Sequence, residues 1–200
     1  MSRWNVRIFV SIGVLSAVSY LLMMLNFPLP PFPNFLLVDF SDVPALIVAL
    51  LYGPLAGVLV ELLKNVLNYF LSGNTTGIPI GHIANFTAGV TFILPVCYVY
   101  QKMSSRKRII FGLASGIIAM TATMSLLNYY IFLPAYTLFL GAPAMSAPEI
   151  KELVVSAILP FNIIKGSIIG IIFGLLFWRL NPWLQRQAAI YRTSYIEKTK

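Results

Sequence analysis

The feature that most constrains this chain is a series of long apolar runs that contain few charged residues. A helix needs about 20 mostly apolar residues to cross the hydrocarbon core of a bilayer. Six stretches approach that length, at about 7–26, 42–55, 56–72, 81–101, 109–134 and 161–180. The second and third are separated only by the sequence YGP, which predicts a tight helical hairpin or a tilted or partly re-entrant helix. We therefore expect an all-α integral membrane protein, a six-transmembrane-helix bundle forming a single domain over residues 1–200.

Composition argues against a soluble globule. Charged residues make up 10% of the chain and mean hydropathy is +0.84, whereas a soluble domain has about 25% charged residues. The first apolar run lacks a small-residue cleavage site, so we expect a retained helix and not a signal peptide. The single cysteine says nothing about compartment. The net charge of +8 does not indicate nucleic-acid binding, because most basic residues flank apolar runs.

The basic residues indicate an orientation in the membrane. Eleven of the 14 lie at the two termini or between the fourth and fifth runs. They are Arg3, Arg7, Lys102, Arg106, Lys107, Arg108, Arg179, Arg186, Arg192, Lys198 and Lys200. The loops on the opposite face carry only Lys151. Because cytoplasmic loops are enriched in Lys and Arg, we expect both termini to be cytoplasmic.

The first outer loop, residues 27–41, has the sequence FPLPPFPNFLLVDFS, with four prolines and four phenylalanines. Proline stiffens a loop, and so many phenylalanines are too apolar to be left in water without a purpose. The loop therefore forms a lid over an outward-facing site, or it lies among the lipid headgroups. Further along, Ser146 and Glu149 form a capping-box pattern that predicts a helix start near 147, and Pro160 is expected to kink or break that helix.

Polar side chains inside the apolar runs are informative because each ionisable one costs about 2.5–3.5 kcal/mol to insert. In the third run, Glu61, Lys64, Asn65 and Asn68 fall on one helical stripe. One interpretation is a Glu61–Lys64 ion pair that only neutralises itself, but it leaves the two asparagines unexplained. The alternative is a stripe that faces a polar cavity.

Three further runs place polar residues at a similar predicted depth. These residues are His82 and Asn85 in the fourth run, Asn128 in the fifth, and Asn162 and Lys165 in the sixth. Counted from Pro160 at about 1.5 Å per residue, Asn162 and Lys165 lie within about 7 Å of the outer boundary. The inner halves of the runs are nearly all apolar, which argues against a polar path across the membrane. The pattern predicts a cup that opens to the outside and binds a ligand.

The sixth run admits two interpretations of its lysine. Lys165 alone could extend its head to the interface, with its stem in lipid. Asn162, however, aligns at intervals of four with Gly166, Gly170 and Gly174, a small-residue ridge suited to close helix packing. Lys165 is about 60° from Asn162 around the helix axis. We therefore expect both side chains to face the interior of the bundle.

The predicted cup suits a neutral ligand. Asparagine offers donors and acceptors and lysine only donors, which fits a flat heterocycle with alternating carbonyl and N–H groups. A phosphate group is typically bound by clustered arginines, and none is predicted in the outer half. The sequence has no Gly-rich phosphate loop, and His82 has no Cys or His companions at metal spacing. Asp39 and Asp42 suit a helix start. No enzyme activity, metal or cofactor is predicted.

With these residues assembled, the chain resembles the substrate-binding membrane component, or S component, of an energy-coupling factor (ECF) vitamin transporter, and most of all the riboflavin-specific kind. The resemblance rests on chain length, the six runs, and three stretches: the Pro/Phe-rich loop leading into LVDFSDVPALI, the hairpin YGPLAGVLVELLKN, and PFNIIKG. It covers nearly the whole chain.

The resemblance implies a fold, a ligand and partners. S components bind a vitamin from outside the bacterial cell membrane, with the first loop as lid. They associate with a transmembrane coupling protein and two cytoplasmic ATPases, so ATP hydrolysis is expected on those partners. For a riboflavin member, Asn128, Asn162 and Lys165 would hold the isoalloxazine ring. The ribityl chain would meet the remaining candidates, which are Asp39, Lys64, Asn68 and Asn85.

Two points remain open at this level. The family docks its coupling protein through an Ala-x-x-x-Ala motif on the first helix, and the nearest match is Gly13 with Ala17. The rival functions are an S component for another vitamin such as thiamine, a stand-alone transporter, and a small membrane enzyme. A thiamine site would be more aromatic and acidic. The outer cup without an inner polar path and the lack of a nucleophile–base set weigh against the other two.

Overall fold

The structure is a computed structural model that describes residues 6–72, 78–105 and 107–197, with side chains described to residue 179. The helices are α1 Val6–Met24, α2 Asp42–Tyr52, α3 Pro54–Leu71, α4 Ile80–Lys102, α5 Arg108–Leu127, α6 Leu133–Leu140, α7 Ala147–Leu153 and α8 Leu159–Glu197. Two π-helical segments, Asn128–Phe132 and Val154–Ile158, join α5 to α6 and α7 to α8. Strands β1 Phe27–Pro28 and β2 Leu37–Val38 pair antiparallel between α1 and α2. The described chain is thus almost entirely helical.

The described residues include five helical segments long and apolar enough to cross a membrane. They are Val6–Met24, Pro54–Leu71, Ile80–Lys102, Arg108–Leu140 and Ala147–Arg179. The remaining apolar helix, α2, has 11 residues, about half the length that a straight span needs. It is separated from α3 only by Gly53, whose φ of 103° suits glycine. The predicted hairpin is therefore confirmed, and the described residues form five or six apolar helices.

Some of the basic residues from which the orientation was predicted lie outside the described part of the structure. Arg3, Arg106, Lys198 and Lys200 lie outside the described residues, and the side chains of Arg186 and Arg192 are not described.

The helices differ from the expectation at two positions: the fifth helix is longer, and of the kink or break expected at Pro160 the break does not occur. The fifth helix, predicted to end near 134, continues to Leu140, and the last helix runs from Ala147 to Glu197 without a break at Pro160. Counted from Ala147, Lys165 lies about 27 Å along the helix. The depth of about 7 Å counted from Pro160 is therefore not the distance of Lys165 from the start of its helix. The predicted start near 147 is confirmed, with the Glu149 carboxylate accepting a hydrogen bond from the Ser146 backbone N–H at 2.6 Å.

The π-helical segments explain why the prolines do not end these helices. Pro134 lies two residues after Asn128–Phe132, and Pro160 lies two residues after Val154–Ile158. In regular α geometry a proline lacks the N–H for the carbonyl four residues earlier, and its ring collides with that carbonyl. Each π-helical segment widens the turn just ahead of the proline. Each helix therefore continues through its proline, with a local π-bulge in the turn before it.

Glycines allow the closest helix contacts. A Cβ at Gly116 of α5 would collide with the Phe92 backbone carbonyl of α4, and one at Gly57 of α3 would collide with Ala49 of α2. On α8, Gly166 lies close to Ile117 and Met120 of α5, and Gly170 is in ordinary contact range of Ile117. Gly174 has no described neighbour within 4 Å of the position a Cβ would take. The predicted glycine ridge thus packs against α5 at two of its three positions.

Candidate ligand-binding site

A cavity of about 260 Å³ lies where the first loop meets the ends of α1, α3 and α4 and the middle of the α5–α6 and α7–α8 helices. Its walls mix apolar and polar side chains, as ligand sites usually do. The polar ones among the described residues are Asn26, Asp39, Asn68, His82, Asn85, Asn128, Tyr136, Asn162 and Lys165. Six of the seven predicted ligand-binding residues are therefore brought together around one space.

Asn128 and Asn162 both line the cavity; Asn128 begins the first π-helical segment and Asn162 lies one turn after the second. Asn128 Nδ2 donates to the Met124 carbonyl at 2.7 Å, and Asn162 Nδ2 donates to the Ile158 carbonyl at 2.8 Å. Each bond turns one amide hydrogen back onto the residue's own helix. The amide oxygen and the second amide hydrogen remain for a ligand in the cavity. The two asparagines thus present a donor and an acceptor each.

Lys165 meets the first loop at the cavity wall. Its Nζ lies 3.5 Å from Asp39 Oδ2, and both side chains are almost completely buried. Asn85 Nδ2 donates to the same oxygen at 3.5 Å. Ser41 supplies the other carboxylate oxygen with two hydrogen bonds, one from its backbone N–H at 2.9 Å and one from its hydroxyl. Asp39 therefore joins the loop to α4 and α8.

The charge of Asp39 is held by these neighbours. Burial raises the pKa of Asp39, but the ammonium groups of Lys165 and Lys64 and the two hydrogen bonds from Ser41 lower it, and the resulting pKa is about 2. The carboxylate is therefore ionised at every physiological pH. Among the described side chains that line the cavity, Asp39 and Lys165 are the charged ones, and they offset each other.

His82 and Asn68 form a second polar contact, at the ends of α4 and α3. His82 Nε2 lies 2.9 Å from Asn68 Oδ1. Because an amide oxygen only accepts, Nε2 carries the hydrogen in this pair. Asn68 Nδ2 donates to Ser72 Oγ at 3.1 Å, and the His82 ring packs edge-on against Tyr69.

Lys64 is placed differently from the other candidates, behind the wall and not on it. Its side chain is fully buried, and Nζ lies 2.5 Å from Asp42 Oδ1, 2.8 Å from Glu61 Oε2 and 2.7 Å from Ser41 Oγ. The predicted Glu61–Lys64 pair is present, and Asp42 extends it. With three partners already in reach, the ammonium is not directed at the cavity.

The first loop contributes apolar side chains to the cavity wall and packs on the neighbouring helices. The Phe32 ring packs edge-on against Phe161 of α8, with centroids 5.7 Å apart, and Phe35 lies 6.3 Å from Tyr136 of α6. Leu36 and Val38 are buried in a cluster that includes Phe161. The loop therefore packs onto α6 and α8, and Phe35 and Leu36 also line the cavity.

Three residues of this region were not selected from the sequence. Tyr136 lies beyond the predicted end of the fifth helix, so its place in the wall could not be seen. Asn26 is the last residue of the first apolar run and carries no pattern that separates it from a loop residue. The one signal for Ser41 in the sequence is that its hydroxyl lies between two aspartates, Asp39 and Asp42. Gly13 and Ala17 lie one turn apart on an exposed face of α1.

Comparison with known proteins decides the family. Residues 7–177 match the family described as ECF transporter, substrate-specific component. The chain belongs to this family of S components. It is 48% identical over 187 residues to the riboflavin transporter FmnP of Bacillus subtilis, covering 94% of this chain and 98% of that protein. It is 44% identical over 177 residues to the riboflavin transporter RibU of Staphylococcus aureus, covering 88% and 92%.

A solved structure supports the same assignment. This S component superposes on the S component of a bacterial ECF transporter with a TM-score of 0.76 and 42% sequence identity, over 89% of this chain and 97% of that one. Together with its apolar helices, this makes the protein a multi-pass protein of the bacterial cell membrane. It is not an enzyme, because in ECF transporters ATP is hydrolysed on separate subunits.

Proposed function

We propose that this S component binds riboflavin at the outer face of the cytoplasmic membrane and gives an ECF transporter its specificity for riboflavin uptake. One observation carries the proposal. Asn128, Asn162 and Lys165 converge on a single cavity in a chain whose relatives at 48% and 44% identity are riboflavin transporters. No cofactor is required, since riboflavin is the transported ligand.

The flat isoalloxazine ring suits the wall formed by α5 and α8. Each asparagine offers an amide oxygen and one remaining amide hydrogen, and Lys165 offers donors only. This set complements a ring edge on which carbonyl and N–H groups alternate. Phe161 and Tyr136 also line the cavity and supply apolar surface for the faces of the ring.

The ribityl chain, with its row of hydroxyls, suits the part of the cavity lined by the first loop and by the ends of α3 and α4. Asp39, Asn68 and Asn85 line the cavity there. The Asp39 carboxylate can accept a hydrogen bond from a hydroxyl, and each asparagine amide can donate or accept one. Lys64 supports this part of the cavity indirectly. It lies behind the wall, where Ser41, Asp42 and Glu61 hold its ammonium nitrogen. This arrangement favours riboflavin over thiamine, for which a more acidic and aromatic site is expected.

The same proposal includes the topology and the lid. Six spans with both termini in the cytoplasm place the first loop, and the cavity beneath it, on the outside. The loop acts as the lid, supported by the contacts of Phe32 with Phe161 and of Phe35 with Tyr136. The short α2 counts as the sixth span by pairing with α3 as a hairpin.

S components associate with ECF coupling and ATPase subunits. We assign one transmembrane coupling protein and two cytoplasmic ATPases as the partners, with no nucleic acid. The exposed turn of Gly13 and Ala17 on α1 is the proposed docking face, since small residues permit close helix approach.

Ligand binding tests the function directly. Riboflavin fluorescence is titrated with the purified protein in detergent, with thiamine as a competitor. Quenching at micromolar or lower riboflavin that thiamine does not reverse is the expected result. A protein that leaves riboflavin fluorescence unchanged at micromolar concentrations would overturn the proposal. Reversal of quenching by thiamine would instead favour the other vitamin.

A further inference from the structure

A buried polar chain runs behind the cavity wall and ends at Asp39. Lys64 Nζ lies 2.7 Å from Ser41 Oγ, and Ser41 Oγ contacts Asp39 Oδ1. Lys64 and Ser41 have no exposed surface, and Asp39 is 2% exposed. Neither Lys64 nor Ser41 is among the residues that line the cavity. Asp39 is the cavity-lining residue at the end of this chain of hydrogen bonds, so it offers them a direct route to a ligand.

The direction of each hydrogen bond in this chain follows from the chemistry of its groups. A lysine ammonium only donates and an ionised carboxylate only accepts. Ser41 Oγ therefore accepts from Lys64 and gives its single hydrogen to Asp39 Oδ1. The Ser41 backbone N–H donates to the same oxygen at 2.9 Å. Oδ1 is thus held from two directions, and Oδ2 is left facing Lys165 and Asn85.

We infer that Ser41 is a positioning residue for the ligand: its hydroxyl fixes the Asp39 carboxylate, which in turn holds the Lys165 ammonium at the cavity wall. The inference rests on the proposed function, because riboflavin affinity is the quantity that Ser41 sets. Ser41 is itself anchored, since Ser19 Oγ of α1 donates to its carbonyl oxygen at 2.9 Å. Removing the hydroxyl leaves Lys64 paired with Asp42 and Glu61, but it leaves Asp39 Oδ1 with one of its two hydrogen bonds, the one from the Ser41 backbone N–H.

Riboflavin titration of single variants is the first test. Ser41→Ala is expected to weaken binding about tenfold, as for loss of a hydrogen bond to a charged group. Ser41→Cys keeps a weak donor of similar size and is expected to fall between the wild type and Ser41→Ala. Ser16→Ala is the matched control. Ser16 is 1% exposed, and its hydroxyl has no hydrogen-bond partner in the described part of the chain, so wild-type affinity is expected.

A double-mutant cycle separates positioning from a general structural role. If Ser41 acts through Lys165, Ser41→Ala changes affinity less than about twofold in a Lys165→Met background. Additive effects would overturn the inference, and so would wild-type affinity in Ser41→Ala. If Ser41→Ala does not fold, Ser41→Cys replaces it in the cycle, and wild-type affinity there would overturn the inference equally. A wild-type protein that does not bind riboflavin would instead overturn the proposed function.

Discussion

The ammonium of Lys165 on α8 lies 3.5 Å from the carboxylate of Asp39 at the end of the first loop, a residue 126 positions earlier in the chain. The two side chains are 6% and 3% exposed, so water screens the pair only weakly. Removing one member leaves the other charge buried without its partner, which is more costly than losing a surface ion pair. This contact therefore ties the position of the loop to that of the cavity wall.

The ring-binding assignment is tested by Asn162→Ala and Lys165→Ala. Each is expected to weaken riboflavin binding about 10- to 100-fold, because each removes polar contacts from a buried site. Copurification with the coupling and ATPase subunits should be unchanged, since neither side chain lies on α1. Ser167→Ala is the control: its hydroxyl donates to the Ile163 carbonyl of its own helix and does not line the cavity. Wild-type affinity in both cavity variants would contradict the assignment.

Asp39→Asn tests the ion pair together with its pH behaviour. The pKa of Asp39 is about 2, below its ordinary 3.8, so the carboxylate is ionised throughout pH 6–8. A lowered pKa contributes stability above pH 4 that is lost as the pH falls towards 2. The variant is therefore expected to weaken riboflavin binding by the same factor at pH 6 and pH 8. Titrations at the two pH values check this, and a factor that differs severalfold between them would contradict it.

Much of the cavity wall could be predicted because it depends on two local properties of the sequence: the periodicity of a helix and the free-energy cost of placing a polar or charged side chain in an apolar run. Asn162 and Lys165 stand out in an apolar run, and their spacing alone places them on neighbouring parts of one face. The partner of Lys165 could not be found in this way. Asp39 lies in a loop, and its contact with α8 depends on how the loop packs over the bundle. The same limit applies to Lys64, whose Asp42 contact arises only when α2 folds back on α3.

The helix boundaries show a second limit. A proline is a strong signal for a kink or an end of a helix, and the helices continue past both Pro134 and Pro160. The π-helical segments that accommodate both prolines involve a single extra residue in a turn, which periodicity does not reveal over so short a stretch. This limit also affects the prediction of the site, because Tyr136 joins the cavity wall only if the helix continues past Pro134.

Orientation is tested by cysteine labelling in intact cells. Lys151→Cys is expected to react with a membrane-impermeant maleimide from outside, and Lys102→Cys only after permeabilisation. Cys97 is buried, so background labelling is expected to be low. Labelling of Lys102→Cys in intact cells, with Lys151→Cys protected, would show that the charge-based orientation is inverted.

The closeness of α4 and α5 is tested by Gly116→Ala. A Cβ there would lie 2.6 Å from the Phe92 carbonyl oxygen, and a backbone atom cannot move aside easily. We expect destabilisation of about 1–3 kcal/mol, measured as a lower thermal midpoint in detergent. Gly174→Ala is the control, because no described atom lies within 4 Å of the new Cβ. Equal midpoints for the two variants would contradict the close packing.

The lid is tested by Phe32→Ala. The Phe32 ring packs edge-on against Phe161, and such a pair contributes about 0.5–1.5 kcal/mol beyond the apolar area it buries. If the loop closes over bound riboflavin, losing this contact should raise the dissociation rate severalfold while the association rate changes little. Stopped-flow fluorescence measures both rates.

Phe111→Ala is the matched control for this variant. Phe111 is 51% exposed on α5 and does not line the cavity, so both rates should remain those of the wild type. A loop that only rests among lipid headgroups predicts a different outcome, in which Phe32→Ala dissociates at the wild-type rate. Because the edge-on contact with Phe161 joins the loop to the helix that carries Asn162 and Lys165, an unchanged dissociation rate would also mean that closing the loop does not retain the ligand.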